Sequence, residues 1–349
     1  MKSIINIDGR AIGPEQPPYI IAELSGNHNG DINRAVELLN VAKASGADAV
    51  KIQTYTADTM TIDCDNPDFR IEGGLWDGKN LYELYEWAHT PWEWHQQLFD
   101  HCKAIGLTIF SSPFDETAVD LLESLDAPAY KIASFEMTDL LLIEKVASTG
   151  KPMIISTGMA NQQEIQQAID CAKNAGCSDI IILHCISGYP TPIEQSNLNT
   201  IKRLAADFDV QVGLSDHTLG VTAAITATAL GASVIEKHFT LKRADGGPDA
   251  AFSLEPEELT ELCTTTKQAF NALGTGDYTT KPAEAENRKF RRSVYVVEDI
   301  KQGELFSTTN IRRIRPGYGL PAKEYNHVIG KTAKFDIKRG TALKIEMVE

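Results

Sequence analysis

Ser-Asp-His-Thr at residues 215–218 is followed about twenty residues later by Glu236-Lys237-His238, each group closing a short apolar run flanked by helix-like sequence. That spacing sets His217 and His238 on neighbouring strands of a parallel sheet, facing one pocket. Two imidazoles with carboxylates close by suit a divalent metal that keeps positions open for substrate oxygens. One such histidine alone reads first as a satisfied core residue; the pair at adjacent strand ends shifts the reading to metal ligands. Asp216 and Glu236 stand beside them, as ligands or as groups that orient a ligand.

Lys51 and Gln53 lie two apart in DAVKIQTY, so they share a strand face, as do Glu236 and His238. An unpaired buried ammonium is strongly disfavoured, so a lysine in a core strand is either ion-paired or functional. Lys131 in AYKIAS repeats the case. With Ser112, Ser134, Ser156 and Ser215 at other strand ends, the two lysines suggest a cradle for phosphate and carboxylate. Glu23 and Glu136 sit in apolar surroundings that raise a carboxyl pKa towards the range of proton transfer, unless lysine pairs with it. Asp249, in RADGGPDAAF, sits where two glycines let backbone and carboxylate approach a polar ligand; a plain turn explains the glycines equally well. His184 reads as internal packing, His28 as either a loop cap or a substrate contact, and Cys185 as a small core residue rather than a nucleophile.

These residues need a scaffold that gathers strand ends. Eight apolar runs of strand length recur, YIIAELS, DAVKIQTY, LTIFSSPF, AYKIAS, PMIISTG, IIILHCIS, VQVGLSD and SVIEKHF, and most are separated by helical periodicity. INRAVELLNVAKASG and NQQEIQQAIDCAKNAG both end in Gly, as a helix C-cap does. Eight strands alternating with helices specify an α/β fold of the (β/α)8 TIM-barrel type, whose functional side chains collect at the strand C-terminal ends. No Gly-x-Gly-x-x-Gly follows a strand, which removes the main support for a dinucleotide fold. KSIINIDGRAIG reads as a β-hairpin closing one barrel end. The stretch from Tyr55 to Leu107 is too long for one helix and holds all four tryptophans, Trp76, Trp87, Trp92 and Trp94. It is either a lid or substrate-selecting wall, or a packed accessory helix.

The expected domains are a barrel with its hairpin over 1–275, a linker over 276–288, and a small β-rich domain over 289–349. In the last, SVYVVEDIKQGELFS and IGKTAKFDIKRGTALK each read as two short strands around a polar turn. Net charge is −15 over 349 residues, which argues against nonspecific nucleic-acid binding. From Lys281 onward 15 Lys/Arg face 9 Asp/Glu, a basic tail beside an acidic body, which suggests docking within or between chains. Six cysteines without a Cys-x-x-Cys pair, no signal-like N-terminus and no apolar run of membrane length point to a reduced, cytoplasmic protein without a membrane role.

IIAELSGNHNG, AVKIQTY, FSSPFD, AYKIASFE, IISTGMA, YPTP, GLSDHT, IEKHFT and GGPDAAFS resemble, in order, the barrel motifs of the bacterial sialic-acid synthase family. RRSVYVVEDIKQGE and IRPGYGL resemble its C-terminal antifreeze-like domain (SAF, a β-clip fold). QTYTADTMTID and LYELYEWAHTPWEWH are most similar to the subgroup that makes pseudaminic acid from a 2,4-diacetamido-2,4,6-trideoxy hexose. Synthases of N-acetylneuraminate or legionaminate are the alternatives within the family; a noncatalytic carbohydrate- or ice-binding protein is the alternative outside it.

The resemblance implies condensation of phosphoenolpyruvate with an amino sugar. His217 and His238 match metal ligands, for Mn2+ foremost, with Mg2+ or Co2+ as alternatives. Lys51, Ser112, Lys131, Ser134, Ser156 and Ser215 match phosphoenolpyruvate contacts, and Gln53 joins them on the face of Lys51. Ser187 stands where some relatives have Asn. Glu23, Glu136, Tyr189 and Asp249 match catalytic or sugar-contacting positions. Arg315, which by itself reads as a surface charge, matches an arginine that a domain-swapped homodimer delivers to the partner's sugar site.

Overall fold

The first element is a hairpin: β1 (Ile5–Ile7) pairs antiparallel with β2 (Arg10–Ile12). Asp8 and Gly9 turn it at φ of 48° and 80°, the left-handed conformation that a two-residue hairpin turn requires. The computed structural model describes residues 4–349 and divides into two units, Met1–Gly274 and Thr275–Glu349.

In the first unit β3 (Tyr19–Glu23), β4 (Ala49–Thr54), β5 (Thr108–Pro113), β6 (Tyr130–Ile132), β7 (Met153–Ser156), β8 (Ile180–Cys185), β9 (Gln211–Asp216) and β10 (Val234–His238) form a closed parallel barrel, β10 pairing back onto β3. These are the eight runs read from the sequence. Alternation along the strands separates two cores. Ile20, Val50, Ile109, Ile155, Ile182 and Ile235 face the helices, whereas Tyr19, Ile21, Phe110, Ile154, Ile181 and Leu183 fill the barrel, with Ile5, Ile7 and Ile12 of the hairpin packed among them. The hairpin thus plugs the barrel at the strand N-terminal end. Above that dry layer the inward positions become Glu23, Lys51, Lys131, Ser215 and Glu236, all buried.

Local chemistry fixes the surrounding helices. Asp31 accepts from the Asn33 amide to cap Ile32–Ser45, which stops at Gly46 at φ 91°. Asn161 and Glu164 form a capping box on Gln162–Asn174. The long β4–β5 connection folds as Ala57–Met60 and Leu81–Ala88, before the barrel's own helix His95–Ile105. His95 anchors it to the barrel wall, its Nε2 2.8 Å from Thr54 Oγ1, which also meets Ser111 Oγ of β5 at 2.6 Å. Gly26 marks a second seam: a Cβ there would stand 2.5 Å from Pro248 Cγ and 2.9 Å from the Ala88 carbonyl oxygen.

The second unit holds β11 (Ser293–Val296) paired antiparallel with β12 (Ile311–Ile314), around a core that includes Val294, Phe306, Ile311, Ile337 and Leu343. The two expected strand pairs are mostly single bridges between the two segments, Tyr295 to Ala342, Ile300 to Ile337 and Leu305 to Thr332. β12 was not expected as a strand: IRRI buries one side chain in four and carries no alternating apolar signal.

Asp216 does not face the histidines. It lies on the helix side of the barrel, where Lys237 Nζ donates to its Oδ2 at 2.7 Å and to the Thr218 carbonyl at 2.5 Å. Both charges are fully buried. Removing one partner of such a pair strands the other, so Lys237→Ala is expected to cost about 3–5 kcal/mol. Urea unfolding checks this; an unchanged midpoint would contradict it.

Candidate active site

The strand C-terminal ends open into a cavity of about 1000 Å³ including its mouth. About 210 Å³ of it is free for water-sized molecules, and the larger figure includes open solvent. Its floor is ionic. Register sets Glu23 beside Lys51 across β3 and β4, and Glu236 beside Ser215 across β10 and β9. Lys51 pairs closely with Glu23 and lies 3.9 Å from Glu236, which also takes Lys131 at 3.4 Å. Ser215 Oγ donates to Glu236 at 3.1 Å, and Glu23 Oε1 accepts from the Ser25 amide (3.1 Å) and Gln53 Nε2 (3.2 Å). Burial raises the Glu23 carboxyl even though Lys51 opposes it. Burial lowers Lys131, while Lys51 stays above the usual lysine range because Glu23 and Glu236 outweigh its burial.

His217 and His238 face each other with ring centroids 5.3 Å apart. His217 Nδ1 lies 2.9 Å from the Ile186 carbonyl oxygen; donating there leaves the Nε2 lone pair for a ligand. Burial, with the charges of His217 and Lys51 beside it, holds His238 well below the usual histidine range. Its Nδ1 meets no hydrogen-bond partner and stands 3.6 Å from Asp249 Oδ2. Two facing imidazoles, one with Nε2 free and the other with Nδ1 unpartnered, fit a divalent ion. Among the described residues no three His, Cys, Asp or Glu side chains converge as a ligand set, so any such ion would keep most of its coordination for water and substrate.

The other expected residues divide between the cavity and its supports. Lys51, Gln53, Lys131, Ser134, Ser156 and Ser215 line it, with Glu136, Tyr189 and Asp249 on its sides. Ser156 Oγ is buried without a partner, as is Glu136 Oε2. Burial pushes the Glu136 carboxyl up to about 7. Asp249 accepts from Ser25 Oγ, and Tyr189 lies 4.5 Å from the His217 ring. Glu23, Ser112 and Ser187 stand behind the surface: Ser112 Oγ accepts from Lys51 at 3.3 Å, and Ser187 Oγ lies 2.8 Å from Ser134 Oγ. Arg315 belongs to the second unit, exposed just after β12. His184 is buried with Nε2 2.7 Å from the Ser196 carbonyl oxygen, and His28 is buried beside Thr90; neither reaches the cavity.

Cys185 differs from the reading of a core residue, because it lines the cavity with Sγ 4.0 Å from His217 Nδ1. Tyr55, Phe114 and Tyr85 also line it and were not singled out. For three of these the signal was present: Tyr55 follows Gln53, Phe114 follows Ser112 and Cys185 follows Leu183 by two residues, the strand's same-face spacing. Tyr85 and Met60 come from the long β4–β5 connection, whose Trp76 Nε1 donates to the Pro248 carbonyl at 2.9 Å.

Residues 38–278 match the NeuB family and residues 291–349 the SAF domain. The pseudaminic acid synthase of Helicobacter pylori is 47% identical over 96% of this chain and 98% of its own. The N,N'-diacetyllegionaminic acid synthase of Campylobacter jejuni is 38% identical over 93% and 98%. Among solved structures, N-acetylneuraminic acid synthetase from Leptospira borgpetersenii superposes with a TM-score of 0.74 at 30% identity, covering 82% of this chain and 95% of that one. The chain therefore belongs to the NeuB family, transferases that condense phosphoenolpyruvate with a sugar.

Proposed function

We propose that this enzyme condenses phosphoenolpyruvate with open-chain 2,4-diacetamido-2,4,6-trideoxy-L-altrose and water, giving pseudaminic acid and phosphate. The observation that carries the reading is one cavity joining a lysine-bearing floor to a histidine pair under an apolar wall. The 47% identity to the Helicobacter enzyme supports the choice of sugar.

In this reading Lys51, Lys131 and the hydroxyls of Ser134, Ser156 and Ser215 hold the phosphate and carboxylate of phosphoenolpyruvate, contributing position and electrostatics. Both lysines are already shared with Glu23 and Glu236, so the floor alone has little positive charge to spare. A divalent ion, Mn2+ foremost with Mg2+ or Co2+ as alternatives, bound by His217 and His238 would add charge and polarise the sugar aldehyde. C3 of phosphoenolpyruvate bonds to the aldehyde carbon, whose oxygen takes up a proton. Water adds at C2 and loses a proton, and the C2–O bond to phosphate breaks. Glu136 takes the proton from water: it lines the cavity with a free oxygen, whereas Glu23 is held by Lys51, Gln53 and the Ser25 amide. Asp249, Gln53 and Tyr189 orient the sugar.

The barrel (1–275), linker (276–288) and SAF domain (289–349) form a homodimer in which Arg315 of one copy completes the sugar site of the other. An enzyme fed by phosphoenolpyruvate belongs in the cytoplasm; among the described residues no helix is long and apolar enough to cross a membrane.

Phosphate release from phosphoenolpyruvate with a panel of amino sugars tests the reading. The diacetamido-trideoxy sugar is expected to support turnover; turnover with N-acetylmannosamine alone would overturn the choice of sugar. Chelation should abolish activity and Mn2+ restore it, and full activity of the His217→Ala, His238→Ala double variant would sink the metal site. Since Glu136 serves as a base, kcat/KM should rise with pH through about 7, where its carboxyl ionises. Glu136→Gln should erase that limb and cost about 10²–10⁴-fold in rate; a limb unchanged in the variant would assign it to another group.

A further inference from the structure

We propose that Tyr55 and Tyr85 are the specificity-determining residues that select a deoxy sugar bearing two N-acyl groups, reading its amides with hydroxyls set in an apolar wall. This rests on the function proposed above and adds which side chains recognise the sugar.

The cavity is chemically two-sided. All charged lining residues come from the barrel strands or the loops after β6, β9 and β10, whereas the stretch from Tyr55 to Phe114 contributes Tyr55, Met60, Trp76, Leu84, Tyr85, Ala88 and Phe114, none of them charged. An anionic reactant is therefore sorted to the floor and a neutral one to the wall. A phosphorylated sugar would press a dianion against a surface with no cation to meet it.

Within that wall the two phenols stand out. Tyr55 is 2% exposed, and its ring is fixed edge-on between Tyr85 (5.8 Å, 80°) and Phe114 (5.1 Å, 79°). Among the described residues neither the Tyr55 nor the Tyr85 hydroxyl meets a hydrogen-bond partner. Both side chains line the cavity, so their hydroxyls are left to water or to a ligand and offer a polar reactant two contacts in an otherwise apolar wall. Burial, then the charge of Asp249 for Tyr55 and of Glu136 for Tyr85, keeps both as neutral phenols. A phenol both donates and accepts, which suits either end of an amide. Two such groups side by side, with ring centroids 5.8 Å apart, suit two acetamido groups carried two carbons apart on one chain. Met60 and Leu84 offer apolar surface to the acyl and C6 methyls.

The test uses the full-length, metal-loaded enzyme. Unmodified protein is first assayed with the diacetamido-trideoxy sugar; no turnover there, with turnover on another sugar, would overturn the function and this inference together, before any variant is made. Given turnover, Tyr55→Phe and Tyr85→Phe should each raise the sugar KM about tenfold or more, with the phosphoenolpyruvate KM and the melting temperature unchanged. With N-acetylmannosamine, as substrate or competitive inhibitor, one of the two substitutions should cost nothing, because the amide it reads is missing. Sugar KM values within twofold of the unmodified enzyme would overturn the inference and leave the function standing. An equal rise in both KM values would mark the tyrosines as structural and also overturn it. A substrate-side arm needs no variant: the 6-hydroxy counterpart of the same sugar should lose about 10- to 100-fold in kcat/KM, and equal use of both sugars would contradict the apolar wall's role.

Discussion

Four buried charges, Glu23, Lys51, Lys131 and Glu236, impose the constraint on which the rest of the site depends. Two ammonium and two carboxylate groups inside a barrel are tolerable only while each has an opposite charge and hydrogen bonds within reach. The structure supplies these from fixed positions: Gln53, Ser112 and Ser215 from strands, and the Ser25 amide from the first loop. The hairpin plug and the apolar layer beneath keep this ring away from water on its lower side. On its upper side Lys51, Lys131 and Glu236 line the cavity.

A near-neutral floor makes anion binding conditional. An incoming phosphate and carboxylate must share lysines that already serve glutamates, so further positive charge stabilises the loaded state. The facing histidines are placed where such charge can be bound. The uncharged wall does the opposite for the second reactant, accepting a sugar without ionic groups. The same cavity thus separates its two reactants by charge before any bond is made, and Glu136, raised by burial, stands along its side.

The barrel was legible because parallel strands buried on both faces leave long apolar runs, and because buried lysines and paired histidines are too costly to be incidental. All eight strands follow from that, and the plugging hairpin from alternation around Asp8-Gly9. Same-face spacing also carried Lys51, Gln53, Glu236 and His238 to the cavity, and extended by one more step it reaches Tyr55. Where pattern is weaker, reading failed in physical ways. Asp216 precedes His217 by one residue, yet alternation sends it to the other side of the sheet, where Lys237 claims it. Cys185 occupies an apolar run that alternation alone turns into cavity lining. Met60 and Tyr85 lie on a long connection whose path depends on distant anchors such as Thr54 and Pro248, invisible to local periodicity. The tail's bridges are too short to leave a strand pattern.

The most direct measurement of the central claim, addition of water at C2 of phosphoenolpyruvate on this floor, is turnover in 18O-labelled water with mass analysis of the released phosphate. Unlabelled phosphate is predicted, because the C2–O bond breaks and the bridging oxygen leaves with phosphorus. One 18O atom per phosphate would place the attack of water at phosphorus and contradict the account.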